Sequence, residues 1–144
     1  MPQKIVVGYD DSASAKSALE FAASLAKAQG GELVVAHVLE WSPYSFLTPE
    51  ELEERHKRRQ EELKRAETAL LKPAVEGLRG SGITVSTALK YGHIAETLCT
   101  IAKEAGASQI IVGRTGHSAL SSRLFGSVAG SLAQASPVPV TIVP

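Results

Sequence analysis

The 144-residue chain contains little cysteine, few aromatic side chains and no net charge. Cys99 is its single cysteine, which excludes an internal disulfide framework and a zinc site built on cysteine pairs. Fifteen basic and fifteen acidic side chains cancel, and aromatic residues make up 5% of the chain. Nucleic-acid-binding domains carry basic surfaces and aromatic stacking platforms, so we expect no nucleic acid partner.

Long hydrophobic runs are also missing. No window approaches the roughly 18 apolar residues of a membrane span, and no apolar segment follows a basic start at the N-terminus. We therefore expect a soluble, cytoplasmic protein without a membrane span. The length predicts one domain, residues 1–144, with a core of its own. Cys99 lies in a helical pattern and is expected to be a packing residue.

Short β-branched runs alternate with helical patterns along the chain. This alternation is typical of a parallel sheet covered by helices on both faces. With right-handed crossovers and short connections, it predicts a doubly wound α/β fold whose five strands lie in the order 3-2-1-4-5. The predicted strands are residues 4–9, 32–38, 83–89, 109–113 and 138–143.

Periodic alanine and leucine positions predict two helices that pack on this sheet. These residues recur every three or four positions over 15–26 and again over 94–105. A glycine follows each pattern, at Gly30 and at Gly106, and is expected to end the helix.

The segment 41–82 follows a different pattern. An irregular loop leads to Thr48, which together with Pro49 and Glu51 predicts a capped helix start. Pro73 is expected to kink or end this long helix. Both signs of charge surround a narrow stripe, which favours a solvated face over a partner-docking surface. The stripe consists of Leu52, His56, Arg59, Leu63, Ala66 and Leu70.

Glycines near the C-terminus are spaced for binding phosphate. Gly113 and Gly116 follow the fourth predicted strand, and Gly126 with Ser127 opens a short helical segment. We call residues 113–126 the glycine loop. Backbone N–H groups in such turns and helix starts point at one anion, and glycine lets the backbone approach it closely. The spacing predicts a polyphosphate site; the alternative is that each glycine serves only a tight turn.

The predicted topology places an acidic strand end beside these glycines. The ligand crevice of such a sheet lies where the strand order reverses, outside the carboxyl ends of strands 1 and 4. Asp10 ends strand 1, and a carboxylate near phosphates acts through a divalent cation or a ribose hydroxyl. Asp10 is the candidate metal or ribose ligand, unless Asp10 and Asp11 only cap the next helix. Ser12 and Ser14 are expected to be caps.

The histidines divide into two groups. His117 lies in the glycine loop near Arg114 and Arg123, where a cation can contact phosphates; the sequence leaves its role open. His37 and His93 have no partner at a spacing typical of a metal site or a catalytic triad. We expect both to be packing or surface residues.

These motifs closely resemble the universal stress protein family, specifically its nucleotide-binding branch. The resemblance is carried by IVVGYDDS at 5–12, AHV at 36–38, GRTG at 113–116, GSV at 126–128 and PVPVTIV at 137–143. It spans essentially the whole chain. In that family, the compound glycine motif marks the members that bind ATP.

The resemblance implies a flavodoxin-like, Rossmann-like fold, bound ATP with Mg²⁺ or Mn²⁺, and a homodimer joined through the last strand. Val38 would read adenine through its backbone, and Asp10 would lie at the ribose or the metal-bound phosphates. An apolar last strand with little charge agrees independently with pairing at a sheet edge. Asp11 departs from the many relatives that carry glycine there, which affects the metal geometry. The implied nucleotide site is Tyr9, Asp10, Val38, Val112, Gly113, Arg114, Gly116, His117, Gly126, Ser127 and Val128.

Two functions remain in competition. The first is an ATP-dependent regulatory or stress-response module that a protein partner reads. The second is a slow ATPase or a protein that phosphorylates itself on Ser121 or Ser122. Catalysis needs a water-orienting group and a stabilising cation. Only His117, Arg114 and Arg123 are available, none with diagnostic spacing, so we favour binding. A receiver domain and a P-loop are excluded, because no aspartate ends strand 3 and no Gly-Lys-Ser or Gly-Lys-Thr follows strand 1.

Overall fold

Five parallel strands form the sheet at the centre of the structure, a computed structural model that describes residues 3–40, 48–115 and 127–144. The strands are β1 (Lys4–Gly8), β2 (Glu32–Glu40), β3 (Thr84–Gly92), β4 (Gln109–Gly113) and β5 (Val140–Val143). They lie in the order β3-β2-β1-β4-β5, and every neighbouring pair is parallel. The predicted strand order and the doubly wound α/β fold are confirmed.

Some strand ends differ from the prediction. β2 and β3 run further than predicted because they pair with each other as far as Glu40 opposite Gly92. β5 begins later, at Val140, because the Ser136 hydroxyl donates to the Val138 carbonyl and accepts from the Val138 N–H. Regular pairing with β4 therefore starts at Val140, although the Pro139 carbonyl already accepts from the Ile110 N–H at 3.0 Å.

Helices cover both faces of the sheet, and the side chains of β1 alternate between two cores. Ile5 and Val7 face the first core, and Val6 faces the second. The helices are α1 (Ala13–Gln29), α2 (Pro49–Ala66), α3 (Lys72–Glu76), α4 (Ile94–Ala105) and α5 (Ser127–Ala135). α1 and α3 pack in the first core, whereas α4 and α5 pack in the second. Cys99 of α4 packs against the second core, and burial raises the pKa of its thiol. Among the described helices, none combines the length and the low charge needed to cross a membrane.

Pro73 interrupts the long helix, as its chemistry predicts. α2 passes into a π-helical turn, Glu67–Leu71, in which the Lys72 N–H donates to the Glu67 carbonyl, and α3 follows. A proline in a regular α-helix would lack its N–H donor, and its ring would clash with the carbonyl four residues earlier. The wider π turn shifts the hydrogen bonding by one residue and accommodates the ring.

α2 contacts β3 through Arg59, whereas two other residues of its predicted stripe are exposed. Leu52 is 54% exposed and His56 is also exposed, so the predicted stripe is wrong at these two positions. Arg59 is half-buried, with its guanidinium carbon 5.4 Å from the centre of the Tyr91 ring. The Tyr91 hydroxyl in turn donates to the Glu62 carboxylate. No residue of α2 is buried, in agreement with the expectation of a solvated helix.

Candidate functional site

A cavity of about 450 Å³ opens at the carboxyl ends of β1 and β4. The chain leaves β1 towards α1 on one face of the sheet, and it continues from β4 to α5 on the other face. The two strand ends therefore diverge, as expected where the strand order reverses. The lining includes apolar side chains from β2, β4 and α4 and a few polar groups, which is typical of a small-molecule site.

Most of the predicted site residues lie around this one cavity. Ser127 is the first residue of α5. Gly116, His117 and Gly126 lie outside the described residues, as do Arg123, Ser121 and Ser122. The structure thus brings together residues from β1, β2, β4 and α5, although their role in binding stays a prediction. The predicted residues that line the cavity are Tyr9, Asp10, Val38, Val112, Gly113, Arg114 and Val128.

The backbone of Val38 borders the cavity beyond the end of β1. The pairing of β1 with β2 ends at Gly8 opposite Ala36, and the Tyr9 N–H then donates to the Ala36 carbonyl at 2.8 Å. Backbone groups of a strand point to the same side at every second residue. The N–H and C=O of Val38 therefore point to the same side as those of Ala36, past the last residue of β1.

Asp10 supports the start of α1 and also borders the cavity. Its Oδ1 accepts hydrogen bonds from the Ser12 N–H at 3.0 Å and from the Ser12 hydroxyl at 2.5 Å. Ser12 is the N-cap of α1, and its Oγ accepts from the Ala15 N–H at 3.1 Å. The predicted cap at Ser12 is confirmed. Asp10 orients that cap through one carboxylate oxygen.

Asp11 is the only described residue other than glycine with a positive φ, at 57°. Side chains with a Cβ are disfavoured in this left-handed region, which aspartate tolerates better than most residues. Glycine adopts such a φ freely, which gives a physical reason why the family resemblance leads us to expect glycine at this position. Aspartate at position 11 therefore carries a local backbone strain that glycine would not.

His37 has a specific contact that the sequence did not indicate. Its Nδ1 donates to the Tyr9 carbonyl at 2.7 Å, because a carbonyl only accepts. In the tautomer that donates from Nδ1, Nε2 is the acceptor. Burial raises the pKa of the Tyr9 hydroxyl, and the Asp11 and Asp10 carboxylates raise it further. The hydroxyl of Tyr9 is consequently protonated at neutral pH.

The backbone N–H groups of Arg114 and Thr115, at the start of the glycine loop, are hydrogen-bonded to other parts of the chain. The Arg114 N–H donates to the Val143 carbonyl at 2.7 Å, and the Thr115 N–H donates to Ser14 Oγ at 3.3 Å. Ser14 is therefore not a helix cap, and that expectation is wrong. At Gly113, a Cβ would lie 2.7 Å from the Ser14 carbonyl carbon, so this glycine allows α1 to approach β4.

Further lining residues were missed by sequence reasoning. Glu40 follows Val38 by two positions on the same strand, and that period-two spacing was the signal that could have found it. Ile94 and Leu98 come from α4 and had the pattern of ordinary core residues. Within the three described segments, no cluster of His, Cys, Asp or Glu side chains could hold a metal ion.

Comparisons with known proteins agree with this architecture. The sequence matches the universal stress protein family over residues 1–144. It is 33% identical to the universal stress protein YxiE of Bacillus subtilis, with 99% of each chain covered. The fold is similar to that of the universal stress protein UspA from Lactobacillus plantarum, with a TM-score of 0.83 and 22% identity over 99% of this chain and 97% of the other.

A second solved relative carries a ligand. It is a universal stress protein in complex with cAMP, which matches with a TM-score of 0.70 and 26% identity over 99% of this chain and 96% of that one. Its ligand is a property of that protein. On the whole-chain family match and the identity to the Bacillus relative, this chain belongs to the universal stress protein family.

Proposed function

We propose that this chain binds an adenine nucleotide, ATP in particular, and acts as a nucleotide-dependent regulatory module in a stress response. The observation that carries the proposal is the cavity between β1 and β4, which has the backbone edge of Val38, the Asp10 carboxylate and the start of α5 around it. The cAMP complex of a family member supports an adenine nucleotide as the ligand class.

The cavity suits a nucleotide in one orientation. The N–H and C=O of Val38 match the acceptor and donor on the edge of adenine, and Ile94 and Leu98 supply apolar contact for the base. The ribose lies near Asp10. The phosphates lie at the N-terminus of α5, where the helix dipole and the N–H groups without a partner inside the helix favour negative charge, and Arg114 lines the same cavity.

A divalent cation fits this arrangement only if the phosphates supply most of its ligands. Asp10 contributes a carboxylate to the cavity, which Gly113 and Arg114 also line. Mg²⁺ commonly binds one or two carboxylates together with phosphates and waters. Mg²⁺ or Mn²⁺ would neutralise phosphate charge there. The sequence-based assignment of Asp10 as metal ligand stays a proposal.

We also propose that a second copy of the chain pairs with β5. This strand is an edge of the sheet, and its four residues are each only partly buried. An apolar edge with free backbone groups favours pairing with another strand. Sedimentation velocity is expected to show a dimer; a monomeric wild type would contradict this part of the proposal.

Thermal melts with ATP, ADP, AMP and GTP, with and without Mg²⁺, test the proposed ligand. At 100 times its dissociation constant, a ligand adds roughly 2.7 kcal/mol to the free energy of unfolding. The melting temperature should then rise by about 9 °C, because the unfolding entropy of a 144-residue domain is about 0.3 kcal/mol/K. Adenine nucleotides are expected to produce the shift and GTP to produce less. No shift with any nucleotide would refute the proposal.

Turnover is measured in the same samples. Release of phosphate above the uncatalysed rate, or labelled phosphate retained on the chain, would favour the slow ATPase or self-phosphorylating alternative. Binding without either result supports the regulatory module.

A further inference from the structure

The hydroxyl of Ser14, near the start of α1, bonds to two segments far along the chain. It donates to the Val143 carbonyl at 3.3 Å and accepts from the Thr115 N–H at 3.3 Å. The Arg114 N–H donates to the same Val143 carbonyl. One side chain thus joins the first turn of α1, the start of the glycine loop and the end of β5.

The local needs of α1 do not explain these bonds. Ser12 already caps the helix, since its side chain accepts from the Ala15 N–H and its carbonyl accepts from the Lys16 N–H. Both bonds of the Ser14 hydroxyl instead leave the helix, towards residues 101 and 129 positions away in sequence. Its contacts serve the loop and the last strand.

The missing side chain of Gly113 makes this contact geometrically available. A Cβ there would lie 2.7 Å from the carbonyl carbon of Ser14 and 2.8 Å from its carbonyl oxygen. The Arg114 amide continues the β4–β5 ladder, in which Gly113 lies opposite Val143. The close approach of α1 lets the Thr115 amide reach Ser14 Oγ, so these bonds fix the backbone of Arg114 and Thr115 where both residues line the cavity.

We propose that Ser14 is a positioning residue that holds Arg114 and Thr115 at the edge of the cavity and thereby increases the affinity for the bound nucleotide. This inference rests on the proposed function, because it assigns a role in nucleotide affinity. The same hydroxyl also bonds to the last residue of β5. Ser14 need not touch the nucleotide to act in this way.

The test compares Ser14→Ala with Ser108→Ala. Ser108 is a matched control, since its half-buried hydroxyl donates to the Lys4 carbonyl at 3.2 Å at the opposite end of the sheet. Amide exchange is measured by NMR in the nucleotide-free protein, and ATP affinity by calorimetry. One lost hydrogen bond should speed exchange at Thr115 and weaken ATP binding, each by roughly three- to tenfold. Ser108→Ala should leave both unchanged, and Ser14→Thr, which keeps the hydroxyl, should retain wild-type affinity.

The outcomes separate this inference from the proposed function. If wild type binds ATP and Ser14→Ala binds it equally tightly, the positioning role is overturned and the proposed function stands. An unchanged exchange rate at Thr115 also overturns it, as does a loss of affinity in Ser14→Thr equal to that in Ser14→Ala. If wild type binds no adenine nucleotide, the proposed function fails, and the role of Ser14 in binding fails with it.

Discussion

The two ends of the sheet share the same parallel pairing and differ in how the chain continues from them. At the amino end, short contacts close the structure: the Ser108 N–H donates to the Lys4 carbonyl and the Glu32 N–H to the Gln3 carbonyl, each at 2.8 Å. At the carboxyl end, the chain leaves β1 and β4 towards opposite faces, and a cavity of about 450 Å³ opens. The reversal of strand order therefore places the cavity at the carboxyl end of the sheet.

Two glycines test this difference with the largest expected effect. Gly113→Ala at the carboxyl end and Gly31→Ala at the amino end each place a Cβ against backbone, that of Ser14 and of Gln3 respectively. Both substitutions should lower the free energy of unfolding by about 1–3 kcal/mol in urea titrations. Only Gly113→Ala should also weaken ATP binding. Equal affinities in the two variants would contradict a functional difference between the ends.

Removing a cation at each end gives a smaller effect, on affinity alone. Arg114 is exposed at the cavity, whereas Arg79 is exposed shortly before β3 begins and pairs with Glu76 at 3.4 Å. Arg114→Ala should weaken ATP binding by about tenfold, because a charge-assisted contact with phosphate is lost. The loss should shrink at high salt as the charges are screened. Arg79→Ala should bind as wild type does, and calorimetry distinguishes the two.

Left-handed turns at the two ends give a third comparison. Asp11 has a φ of 57° at the carboxyl end, and Gly30, which closes α1 near the amino end, has a φ of 65°. Asp11→Gly removes a Cβ from a disfavoured conformation and should raise the free energy of unfolding by about 0.5 kcal/mol. Gly30→Ala should lower it by about 1 kcal/mol. A loss of stability in Asp11→Gly would show that the carboxylate contributes more than its strain costs.

The effect that is smallest at neutral pH concerns Tyr91 at the carboxyl end of β3, because it develops only above about pH 10. Burial, with the hydrogen bond to Glu62, raises its pKa to about 12. The folded state therefore holds this proton more tightly than the unfolded state, whose ordinary value is 10.0. The stability from this group is complete below about pH 10 and is lost as the pH rises towards 12. Tyr91→Phe should remove that part of the pH dependence of unfolding, and an unchanged dependence would contradict the assignment.

Sequence patterns predicted the fold better than individual contacts. The strand order and both helix-ending glycines are as predicted, because they follow from periodicity and local backbone chemistry. The predicted stripe of α2 was wrong at Leu52 and His56, which are exposed, although Arg59 of the same stripe packs on Tyr91. Such a contact depends on which strand lies opposite the helix, and hydrophobic periodicity carries no information about that.

The helix caps that depend on residues within one helical turn could be predicted from the sequence alone. The capping box between Thr48 and Glu51 and the cap at Ser12 are present as predicted, because each depends on residues within one helical turn. Two long-range relations follow only from the folded chain. Ser14 donates a hydrogen bond to the end of β5, and the backbone of Val38 extends past the end of β1 beside the cavity. Those relations join strand ends that folding alone brings together, and a backbone group that bonds a ligand leaves no mark in the choice of side chain.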